Sequence, residues 1–253
     1  MSAYEEARAI LEKVGALETP EGAMLLNSIG VSKKDQGDFK GAMSVFQEAN
    51  AIRQKTSTLT SPDGAKLLGN IAQLIMQGGD YEKAELVLED AKLICEQTAS
   101  LATITGVQIY SNLGLVKRQR GDLESAVMAF EKGRAIHALL GTEVTVDSAT
   151  ILGHYGFTKL QQGDQASAIA AYEEAKAILE KTGGLATPVG GMLLALWAAL
   201  SKELQGDLEG AIASNEEFYN AGKKIGMAEF DSAFLRRKIE ALKEQYRTGE
   251  LLA

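Results

Sequence analysis

The sequence predicts an all-α fold, a solenoid of antiparallel helix pairs with about 12 helices, and three recurrences predict it. A Gly-Asp turn, Gln36-Gly37-Asp38-Phe39, returns as Gly78-Gly79-Asp80-Tyr81, Arg120-Gly121-Asp122-Leu123, Gln162-Gly163-Asp164-Gln165 and Gln205-Gly206-Asp207-Leu208, its glycines 42, 42, 42 and 43 residues apart. A hydroxyl residue returns every 42 residues, at Thr19, Ser61, Thr103, Thr145 and Thr187. Between cap and turn, apolar residues recur at helical spacing, as in Leu25, Leu26, Ile29 and Leu67, Leu68, Ile71.

Each repeat opens with its hydroxyl residue, whose oxygen can accept from an orphan amide of the first helical turn. Pro20, Pro62 and Pro188 follow three of these caps and are the only prolines. Proline suits the first helical position, where no amide is lost and φ is already set. The first helix of each pair then carries a small residue at mid-length, at Gly30, Ala72, Gly114, Gly156 and either Ala198 or Ala199. Small residues recurring at one slot predict close approach of two helices there, which offsets the roughly 1 kcal/mol that glycine costs in an exposed helix.

After the turn, Asp38, Asp80, Asp122, Asp164 and Asp207 are placed to cap the second helix and to complement its positive end. That helix carries alanine at Ala42, Ala84, Ala126, Ala168 and Ala211, then a bulky slot at Phe46, Leu88, Phe130 and Tyr172. Small residues follow at Ala49, Ala91, Gly133 and Ala175, and isoleucines at Ile52, Ile94, Ile136 and Ile178. The exit is small again at Ser57, Ala99, Gly141, Gly183 and Gly226, and its glycines suit a left-handed C-cap.

These slots resemble the tetratricopeptide repeat, known by its small residue in the first helix, its Gly-Asp-aromatic turn and the Ala, aromatic, Ala series of the second. The period of 42 residues, against about 34 in the usual form, is similar to the long variant of kinesin light chains and related proteins. The resemblance covers essentially the whole chain and implies a right-handed superhelix. The implied division is a lone second helix in 1–18, five helix pairs in 19–60, 61–102, 103–144, 145–186 and 187–229, and a C-terminal capping helix and tail in 230–253.

Two departures stand out. Residues 4–14 nearly duplicate Tyr172–Thr182, so a second-type helix comes first, with no first-type helix before it. At the other end, Asp231 to Arg247 reads as a lone first-type helix with Ala241 at the small slot; Phe230, Phe234, Ile239, Leu242 and Tyr246 line one side of it and charged residues the other. The second departure is the extra residue between Thr187 and Gly206, which predicts a π-bulge or kink near Ala195 to Ala199. That segment holds the only tryptophan, Trp197, expected as a core residue, and the bulky slot of the same repeat is Asn215.

Composition narrows the function classes. The 253 residues are 45% hydrophobic and 24% charged, ordinary for a globular chain with ample core. A net charge of −8 argues against nucleic acid or an anionic membrane as partner, because phosphate binding needs clustered Lys and Arg. The single cysteine, Cys95, forms no internal disulfide and reads as a small apolar helix residue. Met1-Ser2-Ala3 leads directly into a helical pattern, so a cytoplasmic location is expected, with an organellar one after processing left open.

Two histidines, His137 and His154, and one cysteine supply no recognisable metal cluster, and no nucleotide-binding or hydrolase motif occurs. The expectation is a non-catalytic protein without cofactor. Lysines recur at Lys33, Lys117, Lys159 and Lys202, where their stems are expected to snorkel along apolar surface. The family resemblance implies that the first helices line a concave groove that binds a peptide segment of a partner. Mapped onto this chain, that groove comprises Asn27, Lys34, Lys66, Asn70, Gln73, Gln77, Asn112, Arg118, Gln119, His154 and Phe157, flanked by Ser28 and Ser111. Asn and Gln clamp backbone with donor and acceptor alike, and Lys34, Lys66 and Arg118 favour an acidic partner. Two alternatives stand beside it: a scaffold subunit, or segment of a longer solenoid, that assembles head to tail through its uncapped ends, and a regulatory domain of an enzyme. The overall negative charge and the lack of a coiled coil set the chain apart from kinesin light chain itself.

Overall fold

The computed structural model describes residues 3–225 and 232–248; Gly226, Phe230 and Asp231, singled out above, lie outside them. The described residues form twelve α-helices and one 3-10 turn, with no strand. The chain divides into two compact units, Met1–Val116 and Lys117–Ala253.

The first unit holds α1 (Ala3–Lys13), α2 (Pro20–Asp35), α3 (Phe39–Lys55), α4 (Pro62–Gln77), α5 (Tyr81–Gln97) and most of α6 (Ile104–Gln119). Here α2 packs on α3 and α4 on α5, and the apolar stripes meet in a core that includes Leu26, Val45, Phe46, Ile52 and Leu67. The second unit holds α7 (Leu123–Leu140), α8 (Val146–Gln161), α9 (Gln165–Thr182), a 3-10 turn at Gly184–Ala186, α10 (Pro188–Leu204), α11 (Leu208–Ile225) and α12 (Ser232–Thr248). Its core gathers Leu152, Phe157, Tyr172, Leu179, Leu196, Leu200, Phe218 and Leu235.

Both families of caps form. The hydroxyls of Thr19, Ser61, Thr103, Thr145 and Thr187 accept from the amides of Gly22, Gly64, Gly106, Ser148 and Gly190 at 3.1 to 3.4 Å. Each also donates to a carbonyl three residues earlier, at 2.6 to 3.1 Å, so one oxygen ties the incoming loop to the helix it starts. At the Gly-Asp turn the five aspartates accept from the amide three residues on, at 2.9 to 3.1 Å. The turn glycines sit at φ from +78° to +84°, a left-handed conformation that a side chain would strain.

The small slot works through a ring. A Cβ at Gly30 would lie 2.3 Å from the Phe46 ring, and one at Gly156 would lie 2.9 Å from the ring of Tyr172. Where the bulky slot is Leu88, alanine fits, and Ala72 and Leu88 are both fully buried. In α10 the slot falls to Ala199, buried at 2% exposure, while Ala198 is half-buried. Ala241 of α12 is exposed, because no second helix follows it among the described residues.

The extra residue of the fifth pair does not produce the π-bulge expected near Ala195 to Ala199. α10 is α-helical throughout its 17 residues, against 16 in α2, α4, α6 and α8, so the insertion is absorbed as helix length. Continuing the helix keeps every internal amide bonded to the carbonyl four residues back, which a π-turn would interrupt. Asn215 is buried at 1% exposure and donates to the Ala211 carbonyl at 2.8 Å, so the polar residue in the bulky slot is satisfied locally. Trp197 packs on the core with its Nε1 buried and without a hydrogen-bond partner, and the Lys176 ammonium lies 4.7 Å from its ring centroid. Cys95 is buried and free.

The recurring lysines do more than snorkel. Lys33 reaches Asp38 at 3.0 Å and Lys159 reaches Asp164 at 3.7 Å, clamping the turn from before the glycine to the next cap, while Lys202 donates to Ser214 at 3.1 Å. Successive second-type helices are tied by Arg8 to Glu48 at 3.0 Å and Arg134 to Glu174 at 2.9 Å, which occupy the same slots of their repeats.

A further slot, glycine in four of the five pairs, owes that glycine to the backbone. The residue three places after each cap is Gly22, Gly64, Gly106, Ser148 or Gly190, and a Cβ on Gly64 would lie 1.8 Å from the backbone oxygen of Leu59. Gly64→Ala should therefore destabilise by roughly 1 to 3 kcal/mol, read as a lowered urea midpoint, because the obstacle is backbone and cannot swing away. α3 and α5 exit through Ser57 at φ 55° and Ala99 at φ 52°, where α7 and α9 exit through Gly141 and Gly183. Ser57→Gly and Ala99→Gly should each raise stability by roughly 0.5 to 1 kcal/mol in thermal melts, since relief of left-handed strain outweighs glycine's added chain entropy.

Candidate functional site

The residues implied as a groove fall into two groups, one in each unit. In the first unit, α2 and α4 bring four of them together. The Asn70 amide donates to Asn27 Oδ1 at 2.9 Å, and Lys34 Nζ donates to Gln73 Oε1 at 2.7 Å. All four side chains are half-buried. One inter-helix bond uses one of the two donors of Asn70 and one acceptor direction of Asn27, so each amide keeps further hydrogen-bonding capacity for a peptide backbone. Lys66 and Gln77 are exposed on α4, whereas Asn112 on α6 is buried at 5% exposure. Ser28 is half-buried and turns back to the Met24 carbonyl at 3.2 Å, and Ser111 is also half-buried.

In the second unit, Arg118, His154 and Phe157 lie together, with Gln119 half-buried at the end of α6. The Arg118 guanidinium stands 5.1 Å from the Phe157 ring centroid, and both side chains are 5% exposed. Phe234 of α12 meets Phe157 edge-on at 5.4 Å, so the aromatic face implied for ligand contact is covered by the last described helix. His154 stacks on Phe130 at 5.9 Å. Although part of its surface stays exposed, the packing around its ring, and secondarily the Arg118 charge, pulls its pKa down to about 3. Burial pushes the Tyr172 phenol well above its ordinary value against the opposing pull of Arg118, and its hydroxyl has no hydrogen-bond partner. Both groups are moved away from neutrality, so neither is tuned for proton transfer near pH 7.

Sequence reasoning missed Phe130, Tyr172 and Phe234 as neighbours of this group. The first two were visible as bulky slots, but the period does not reveal which ring stacks on which. No group of three or more His, Cys, Asp or Glu among the described residues could hold a metal ion. A cleft of about 360 Å³ between α11 and α12 is bridged by Arg236 to Tyr219 at 3.0 Å and Lys243 to Glu216 at 3.0 Å, so its charges are already paired. No helix among the described residues is long and apolar enough to cross a membrane.

Stacked, capped helix pairs with a small-residue seat in each first helix define a helical-repeat solenoid of the tetratricopeptide type. Residues 107–181 match the tetratricopeptide repeat family. Solved structures share the fold over nearly all of the chain. BtubC (BKLC) from P. vanneervenii is 20% identical, with 88% of each chain covered and a TM-score of 0.68. A Rap protein complexed with competence and sporulation factor is 17% identical, with 98% of this chain and 70% of that one covered and a TM-score of 0.65. A kinesin-light-chain-type protein of nearly identical TPR-like repeats from Podosopora anserina is 17% identical, with 90% of this chain and 97% of that one covered and a TM-score of 0.56. No curated protein matches the sequence.

The two histidines predict an acid limb of stability. Burial lowers the pKa of His137 below 6.5 despite the nearby carboxylates of Asp147 and Glu143, and His154 is lowered further. Below pH 6.5 the unfolded chain therefore binds more protons than the folded one, and stability falls as pH drops. Between pH 7.5 and 4.8 the loss should be on the order of 1 to 2 kcal/mol in urea titrations, allowing for the exposed edge of His154. His137→Leu combined with His154→Gln should remove most of it. The depressed carboxyls of Asp38, Asp122 and Asp164 act lower, losing their stabilisation as pH falls below about 3.8.

Proposed function

We propose that this chain is a non-catalytic interaction module that holds a peptide segment of a partner protein along the first helices of its pairs. The observation that carries the reading is the polar ladder of α2 and α4. Asn27, Asn70, Lys34 and Gln73 are fixed by bonds between the two helices yet retain hydrogen-bonding capacity. Preorganised amides at successive repeats suit an extended backbone, since their ordering cost is met before the ligand arrives. Lys34 and the exposed Lys66 favour a segment with an acidic residue. A structural neighbour solved in complex with competence and sporulation factor supports the use of this fold for capture. Repeats of this type are typically non-catalytic. A buried, unpaired Cys95 fits a reducing compartment such as the cytoplasm.

Affinity purification from the native cell, with wild-type chain beside an Asn27→Ala, Asn70→Ala, Lys34→Ala triple variant, tests this. Recovery of the specific partner should fall at least about tenfold, as expected for loss of two to three such bonds, while the melting temperature changes by only a few degrees. Undiminished recovery by a folded triple variant would overturn the reading.

A further inference from the structure

α1 presents an apolar stripe that the same sequence buries elsewhere in the fold. Residues 4–14 nearly duplicate Tyr172–Thr182. In α9, Ala171, Tyr172, Ala175 and Ile178 are 0% to 8% exposed. In α1 no residue is buried; Tyr4 and Ile10 are 43% and 61% exposed, and Val14, just past its end, is 66% exposed. At Ala3, Tyr4, Ala7 and Ile10 the side chains match, so the difference lies in what covers them: α9 packs under α8, and nothing described occupies the corresponding place over α1, while Val14 takes the place of the exposed Thr182. Ala3, Ala7 and Ile10, at steps of 4 and 3, form one stripe along the helix, and Val14, one residue past its end with its amide still bonded to the Ile10 carbonyl at 3.1 Å, continues it.

We propose that this stripe is a self-docking surface on which two copies of the chain pair through antiparallel α1 helices. The helix is complementary to itself in shape and in charge. Laid antiparallel about a twofold axis, Ile10 of each copy rests over Ala7 of the other, and Val14 over Ala3, so the two large side chains of the stripe each meet a small one. The first turn of α1 is acidic, with Glu5 and Glu6, and its last turn carries Lys13. The same twofold axis sets Glu6 of each copy beside Lys13 of the other, giving two ion pairs on one flank. Among the described residues the exposed face of α12 is mainly charged, with Arg236, Arg237, Glu240 and Glu244 beside Tyr246. A single helix pair is a small interface, so the dimer is weak, in the micromolar range.

Sedimentation velocity on the full chain over a wide concentration range tests this. A monomer–dimer equilibrium is expected. Ile10→Glu should weaken it by about thirtyfold or more, since that residue enters the interface twice. Glu6→Lys alone and Lys13→Glu alone should each weaken it by roughly threefold to tenfold, and combining both in one chain should restore it. Circular dichroism melts confirm that each variant is folded. A chain that remains monomeric at several hundred micromolar would overturn the proposal, as would a dimer indifferent to Ile10→Glu. Failure of the charge swap to restore association would overturn it too, and so would growth beyond two copies, the sign of head-to-tail stacking.

Discussion

The pairs α2–α3 and α8–α9 depend on the second helix laying an aromatic ring onto the first helix at a residue that has no side chain of its own. The contacts are Phe46 on Gly30 and Tyr172 on Gly156. This contact fixes how closely the two axes approach, and the approach decides which other side chains can interdigitate. It also couples the two slots: an aromatic ring demands glycine, whereas Leu88 is compatible with Ala72. Surrounding alanines, such as Ala42, Ala49, Ala168 and Ala175, are all fully buried and extend the close contact along the second helix. No repeat closes its own core, so the seat also determines what each pair offers its neighbour.

Much of this was legible in the sequence, because period and residue type together name a physical role. Hydroxyls at a fixed spacing before an apolar helix are caps, and glycine followed by aspartate between two helices is a left-handed turn followed by a cap. What periodicity shows poorly is an interaction with backbone. Gly22, Gly64, Gly106 and Gly190 recur as regularly as the caps, yet their reason, a leucine or glycine carbonyl pressed against the helix, appears only in three dimensions. The lysine-to-aspartate clamp was half legible: the lysines stood out, but their partners at the turn did not.

The candidate binding residues were legible by position and not by availability. Asn27 and Asn70 stand 43 residues apart, one more than the period, so they hold adjacent slots of their helices and yet bond to each other. Register alone could not show that Phe157 would be met by Phe234 or that Arg118 would be buried, because those outcomes depend on packing between non-neighbouring helices. The extra residue in α10 carried the opposite lesson. A helix end takes up one residue at the price of a longer rod, and Leu204, half of it exposed, stands where the other first helices carry Asp35, Gln77, Gln119 and Gln161.

The doubly bonded cap hydroxyls also bear on chemical modification. A phosphoryl group at a helix N-terminus is electrostatically welcome. At Thr19, Ser61, Thr103, Thr145 and Thr187, however, the oxygen that would carry it already donates its proton to a loop carbonyl while accepting from a helix amide. A kinase would first have to peel the loop away from the helix it begins. Phosphate incorporation at these five positions would thus count local opening events, making the caps built-in reporters of how often each repeat breathes.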